Sequence, residues 1–232
     1  MNFLLLLFLY LIVLSCSSIR KAKEIEEGEY IVYKTFKKDS AAIGLDKGTK
    51  VYLEDYTEFI LLYPQDSIKK DPLKISVSET NYLPLKLRQN SFDLDLFVIP
   101  FKVRPPQNDV PLQLNTNFNT SAYIGFRRDI LKITSEEQRF NTHKRKVLRN
   151  GFGAGVFTGL GSTAINPSVT SGRVPLEYDG LVVSYGISSI IAVEKFNAGL
   201  ALGCDYLTNK HRKEWIYQQK WWIGVLVGLN LN

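Results

Sequence analysis

Over residues 151–161 the chain alternates large and bare side chains with a period of two, and few folds accept that pattern. Even positions carry Phe152, Ala154, Val156, Thr158 and Leu160, while odd positions carry Gly151, Gly153, Gly155, Phe157, Gly159 and Gly161. A β-strand turns successive side chains to opposite faces, so one face here is apolar and the other nearly empty. A sheet with one face in water shows charges on it. Small and neutral polar groups suit instead the crowded inside of a narrow closed barrel, which leaves the apolar face for lipid or a second protein layer.

The alternation recurs, and strands are expected at 92–104, 112–128, 151–163, 181–193, 198–208 and 221–231. In the second of these, Gln113, Asn115, Asn117 and Asn119 lie opposite Leu112, Leu114 and Phe118, as a hydrogen-bonded lumen would require. In the first, Phe92, Leu94 and Leu96 share one parity but Phe97, Ile99, Phe101 and Val103 share the other. That switch places a bulge near Leu96, and Pro100, lacking an N–H, suits an edge or bulged position. Trp215, Tyr217, Trp221 and Trp222 cluster where a membrane-interface girdle of aromatic residues would lie. Known single-chain membrane barrels start at about eight strands. Six strands therefore lead one to expect that the N-terminal part, or a second copy of the chain, completes the closure.

The N-terminus points to export. Residues 3–14 are an unbroken apolar run, too short for a spanning helix but suited to the centre of a secretory signal. Val13, Leu14, Ser15 and Cys16 follow and resemble the lipobox of bacterial lipoproteins, which implies acylation of Cys16. Acyl chains contribute about 0.8 kcal/mol per buried methylene, so a multiply acylated Cys16 would anchor the chain without a spanning helix. The only other cysteine is Cys204. A lipidated Cys16 leaves it without a partner, so no disulfide framework or cysteine-based metal site is expected.

The formal charge is +6, with no charged side chain before Arg20. Two basic clusters, His143-Lys144-Arg145-Lys146 and Lys210-His211-Arg212-Lys213, are expected in loops flanking strands. There they would either meet lipid phosphates or simply solubilise the loops. No nucleic-acid motif accompanies them. The organisation expected is a signal peptide at 1–15, a lipid-anchored tether at 16–27, a small β-rich unit at 28–90 and an antiparallel barrel at 91–232.

Catalytic chemistry has little to stand on. The only histidines are His143 and His211, and no serine shares the segment of His211 and Glu214, so no triad is laid out locally. The glycines of 151–155 lack the Lys-Ser/Thr of a phosphate loop and continue at period two. Asp93, Asp95 and Asp205 are expected to face water at strand ends. No metal, cofactor or catalytic residue is assigned.

With Phe92-Asp93-Leu94-Asp95, Ile99-Pro100-Phe101-Lys102, Leu114-Asn115-Thr116-Asn117-Phe118-Asn119, Gly151-Phe152-Gly153-Ala154-Gly155 and Trp222-Ile223-Gly224, residues 91–232 resemble cell-envelope proteins of the outer-membrane β-barrel type. The resemblance implies an all-β, up-and-down barrel in the bacterial outer membrane, with membrane lipids, lipopolysaccharide or other envelope proteins as partners and oligomerisation open. It implies a structural or binding role without enzymatic activity. The alternative is a periplasm-facing lipoprotein whose soluble barrel or sandwich binds a hydrophobic ligand. The discriminating feature is whether the apolar parity faces outward or a shared dry centre.

Overall fold

The computed structural model describes residues 25–38, 43–56, 58–65, 72–76, 84–138, 142–193 and 196–229. Cys16 and the leader lie outside them. The described chain is almost entirely β. Its strands are β1 (Gly28–Val32), β2 (Phe36–Lys38), β3 (Ile43–Leu45), β4 (Lys50–Asp55), β5 (Phe59–Pro64), β6 (Leu73–Ser76) and β7 (Leu85–Arg104). They continue as β8 (Gln113–Asn115), β9 (Asn119–Gln138), β10 (Thr142–Ile165), β11 (Tyr178–Val193), β12 (Phe196–Leu207) and β13 (Trp221–Leu229).

Six of them make a ring. β7, β9, β10, β11, β12 and β13 pair in that order, all antiparallel, and β13 pairs back onto β7 through Val103, Lys102, Phe101, Val98 and Phe97. No N-terminal strand and no second copy is needed to close it, contrary to the expectation from strand number. The register explains how so few strands suffice. Cross-strand neighbours run from Asp93 through Gly125, Gly155, Ser188, Ala201 and Gly224, and return to β7 at Lys102, not Asp93. That offset is the shear of a barrel with strongly tilted strands.

A ring this narrow has room inside only for small side chains and a few large ones. A Cβ added to Gly155 would stand 2.2 Å from the Ile124 carbonyl oxygen and 2.8 Å from the Tyr123 ring. At Gly203 it would meet Phe157 and Trp222 at 2.8 and 2.6 Å. Aromatic rings lie across Gly155, Gly203, Gly224 and Gly228, while Gly159 and Gly186 abut backbone carbonyl groups of the adjacent strand.

Two strands differ from the sequence reading. In β7 the inward positions are Asp93, Asp95, Phe97 and Ile99, then Lys102 and Arg104. The extra residue therefore sits at Ile99–Pro100 and not at Leu96. The β13 register slips at that place, between Val225 opposite Phe101 and Val227 opposite Val98. The strand expected at 112–128 is broken into β8 and β9, and β9 runs on to Gln138.

β7, β9 and β10 are 20, 20 and 24 residues long and extend past the ring. There β7 takes β1 as a neighbour, with Ile31 opposite Arg88, and β4, β5 and β6 follow in the same sheet. The sheet curls around a second core containing Tyr30, Val51, Leu53, Ile60, Leu62 and Ile75, to which β7 adds Leu85 and Leu87 and β9 adds Leu131 and Ile133. The boundary expected at 90/91 falls within β7. His143 to Lys146 form part of β10 and not a loop. Arg145 turns inward, pairs with Asp55 and donates to the Tyr56 carbonyl oxygen at 2.6 Å.

Candidate functional site

The apolar parity points out of the ring. Val156, Ile187, Leu202 and Val227 are 53, 59, 46 and 47% exposed, and they do not meet in a shared centre. The outward face of β11 carries Leu181, Val183, Tyr185, Ile187, Ile191 and Val193, with Ser189 the only hydroxyl apart from the tyrosine. On β12 it carries Phe196, Ala198, Leu200, Leu202, Cys204 and Tyr206. β13 adds Trp221, Ile223, Val225 and Val227. On β7, β9 and β10 the same face is apolar through Phe92, Phe126 and Phe152. Towards the N-terminal sheet it then turns basic, with Arg88 and Lys86, Arg128 and Lys132, and Lys146 and Lys144 on the outward parity.

The interior is filled, in three layers. The middle one is apolar and consists of Phe97, Ile99, Tyr123, Phe157, Ile190, Ala201, Trp222 and Leu226. Phe97 and Tyr123 meet edge to face at 5.7 Å, and Phe157 and Trp222 lie tilted at 50° with their centroids 5.8 Å apart. On the side away from the N-terminal sheet lies a buried ionic cluster. Lys102 Nζ donates to Asp205 Oδ1 at 2.9 Å, Asn119 Oδ1 at 2.8 Å and Ser184 Oγ at 2.8 Å. Arg104 donates to Asp205 Oδ2 at 2.6 Å and Thr163 Oγ1 at 3.0 Å. Asp205 is thus held by two cations, the geometry in which a buried carboxylate is tolerated. On the opposite side Arg127 sits 3.3 Å from Asp93 and 3.2 Å from Asp129, and Asn197 donates to Asp95 at 2.6 Å. Asp93, Asp95 and Asp205 are buried and do not face water.

The aromatic girdle must be corrected. Only Trp221 faces outward; Trp215, Tyr217 and Trp222 are buried. The reason is the ionic cluster, because Trp222 lies 4.6 Å from Lys102 Nζ, and Trp215 and Tyr217 lie 5.1 and 5.4 Å from the Arg104 guanidinium. Electron-rich ring faces offset part of the cost of burying those cations. Trp215 and Tyr217 belong to the segment between β12 and β13, which packs with Val169 and Val174 into a small lid core over that end of the ring. His211 lies at the same end, and its Nδ1 is 2.8 Å from the Tyr178 hydroxyl.

Lys102, Ser184 and Asp205 contain the groups of a nucleophilic centre but not its access. All three are almost wholly buried, and Ser184 donates to Asp205 at 2.7 Å while accepting from Lys102. Among the described residues, no group of three or more His, Cys, Asp or Glu side chains could hold a metal ion. No helix among them is long and apolar enough to cross a membrane. No protein-family model matches the chain, and neither curated proteins nor solved structures give a match.

Proposed function

We propose that this chain is a membrane-embedded β-barrel of the bacterial outer membrane, tethered through an acylated Cys16, with a structural or binding role and no enzymatic activity. The single observation that carries this reading is the outward apolar face. Soluble monomers rarely expose a contiguous apolar patch above a few hundred Å², whereas here the outward side of all six ring strands is greasy. A tilted membrane strand needs roughly 9–11 residues, and β12 offers 12.

Two further features support it. The long connections, 166–177 and 208–220, lie at the end remote from the N-terminal sheet, and membrane barrels have short periplasmic turns and longer external loops. The basic outward face of β7, β9 and β10 begins where the apolar belt ends, at the depth of lipid phosphates. The filled interior argues for a wall or platform and against a pore. It also weighs against the soluble-carrier alternative, because the ring holds packed aromatics and ion pairs where an apolar ligand would have to sit.

The test is gel migration of membrane fractions with and without heating, after carbonate extraction. An embedded barrel stays in the pellet and shifts on heating. Release by carbonate with no heat-dependent shift would falsify the proposal.

A further inference from the structure

Where β7, β9 and β10 leave the ring, their outward face gathers charge of one sign around one residue. Ile130 on β9 faces outward and is half-buried. Arg88 on β7 and Asn150 on β10 stand directly opposite it, while Arg128 and Lys132 lie two residues to either side on the same face of β9. Opposed positions are roughly 4.5–5.5 Å apart at Cβ, so three long cationic side chains and an amide ring a small apolar floor.

Among the described residues, none of these three cations makes an ion pair. Arg128 donates from Nε to Asn90 at 3.1 Å, and Arg88 Nε is buried without a partner. Lys132 is also directly opposed to Lys86, a like-charge arrangement that destabilises a sheet. The acids stand elsewhere. Glu136, the one acidic residue on the outward parity of β7, β9 and β10, lies six residues beyond Ile130 and 3.6 Å from Lys146. On β1, Glu29 accepts from Gln65 at 3.0 Å, and Lys50, opposite Ile31, adds a further cation on that side. The other border of the patch is the bottom of the apolar belt. Phe152 opposes Arg128, Phe92 opposes Phe126, and the last two rings meet edge to face at 6.0 Å. Phe126 is 77% exposed.

We propose that this patch holds the headgroup of an anionic phospholipid without an ammonium group, of the phosphatidylglycerol type. Its phosphate lies over Ile130 between Arg88, Arg128 and Lys132, its hydroxyls face Asn150, and its acyl chains rise past Phe126 and Phe152. The proposal rests on the membrane reading above and adds a lipid preference to it. A zwitterionic headgroup would bring its ammonium to a place with three cations and no carboxylate. An anion meets all three favourably, each Lys or Arg near a membrane surface contributing about fivefold.

The test is the lipid retained by the full chain after exchange from vesicles holding equal amounts of phosphatidylglycerol and phosphatidylethanolamine, read by native mass spectrometry. Both lipids carry the phosphate, so a contact common to them leaves the ratio unchanged. The expected ratio is about 25:1, as two engaged cations would give. Lys132→Glu reverses one charge and brings it to about 1:1, and Arg88→Gln lowers it about fivefold. Lys144→Glu makes the same reversal on the same basic face, four residues along β10 from Leu148, the residue opposite Lys132. That is roughly 13 Å away, beyond a screening length of about 8 Å at physiological salt, so the ratio stays as it was. An even ratio in the unaltered chain, or equal effects of Lys132→Glu and Lys144→Glu, overturns the proposal. So does capture of soluble glycerol phosphate, added in a separate arm, by a chain that does not discriminate between the lipids. Insertion is scored in the same samples by heat-dependent migration, and Arg88→Gln carries the test should Lys132→Glu fail to insert. A chain that inserts with an even ratio sinks the patch alone, and one that never inserts sinks the membrane reading with it.

Discussion

Ile187→Arg places a charge at the centre of the outward face of β11. Ile187 is 59% exposed, with Val156 opposite on β10 and Leu202 opposite on β12, so no acidic side chain stands beside it to receive the guanidinium. If the belt lies in hydrocarbon, an arginine at mid-depth costs about 2–4 kcal/mol, or roughly 30- to 900-fold in the folding equilibrium. If the belt lies in water, an exposed substitution of this kind changes stability by no more than about 0.5 kcal/mol. The two environments thus differ by several times the error of a denaturant titration. The assay is urea unfolding of the refolded chain in phospholipid vesicles, with Phe196→Arg as the depth control. Phe196 is 66% exposed at the end of β12, where an interfacial arginine costs about 0–1 kcal/mol. Equal midpoints for the two variants would refute the reasoning, because depth would then have no effect.

Lys102→Ala leaves Asp205 with Arg104 as its one cation and empties the position over Trp222; a loss of about 3–5 kcal/mol is expected from breaking a buried pair, against little change for Cys204→Ser on the outer wall. Gly155→Val should prevent a native ring, since even its Cβ would meet the Ile124 carbonyl oxygen at 2.2 Å; loss of heat-modifiable migration is the readout. Burial pushes the Tyr30 hydroxyl up from 10.0 to about 12, opposed in part by Arg149. The folded state therefore disfavours the phenolate, and the stability tied to Tyr30 is complete below pH 10 and lost as pH climbs towards 12. Tyr30→Phe, which keeps the ring but drops the bond to the Glu26 carbonyl oxygen at 2.7 Å, should remove that alkaline step from a pH series of thermal melts.

Much of the barrel was legible because its strands are long and their faces unmixed. In 151–163, 181–193 and 198–208 every large outward residue lies on the parity assigned to it, and the bare parity is the inside. Legibility ended where the inside stops being bare. Phe97 and Ile99 are large because they belong to the central stopper, so parity alone could not separate a greasy interior from a greasy exterior, and the bulge was displaced to Leu96. Trp215, Tyr217 and Trp222 were read from their position beside a strand, whereas what buries them is Lys102 and Arg104, more than a hundred residues away in sequence. The acidic residues failed for the same reason. Asp205 looks solvated until Lys102 is brought across the ring. One signal was present: Asp205 sits on the parity of Gly199, Ala201 and Gly203, within a strand that is apolar on the other side.

The three longest strands cross from the N-terminal core into the ring without a joint. A pull on the N-terminal sheet has no hinge in which to dissipate. It enters the barrel as shear along the β9–β10 ladder, where paired backbone groups from Thr142 opposite Gln138 to Gly161 opposite Asn119 share the load in parallel. Whatever grips the N-terminal sheet therefore grips the wall of the ring as well.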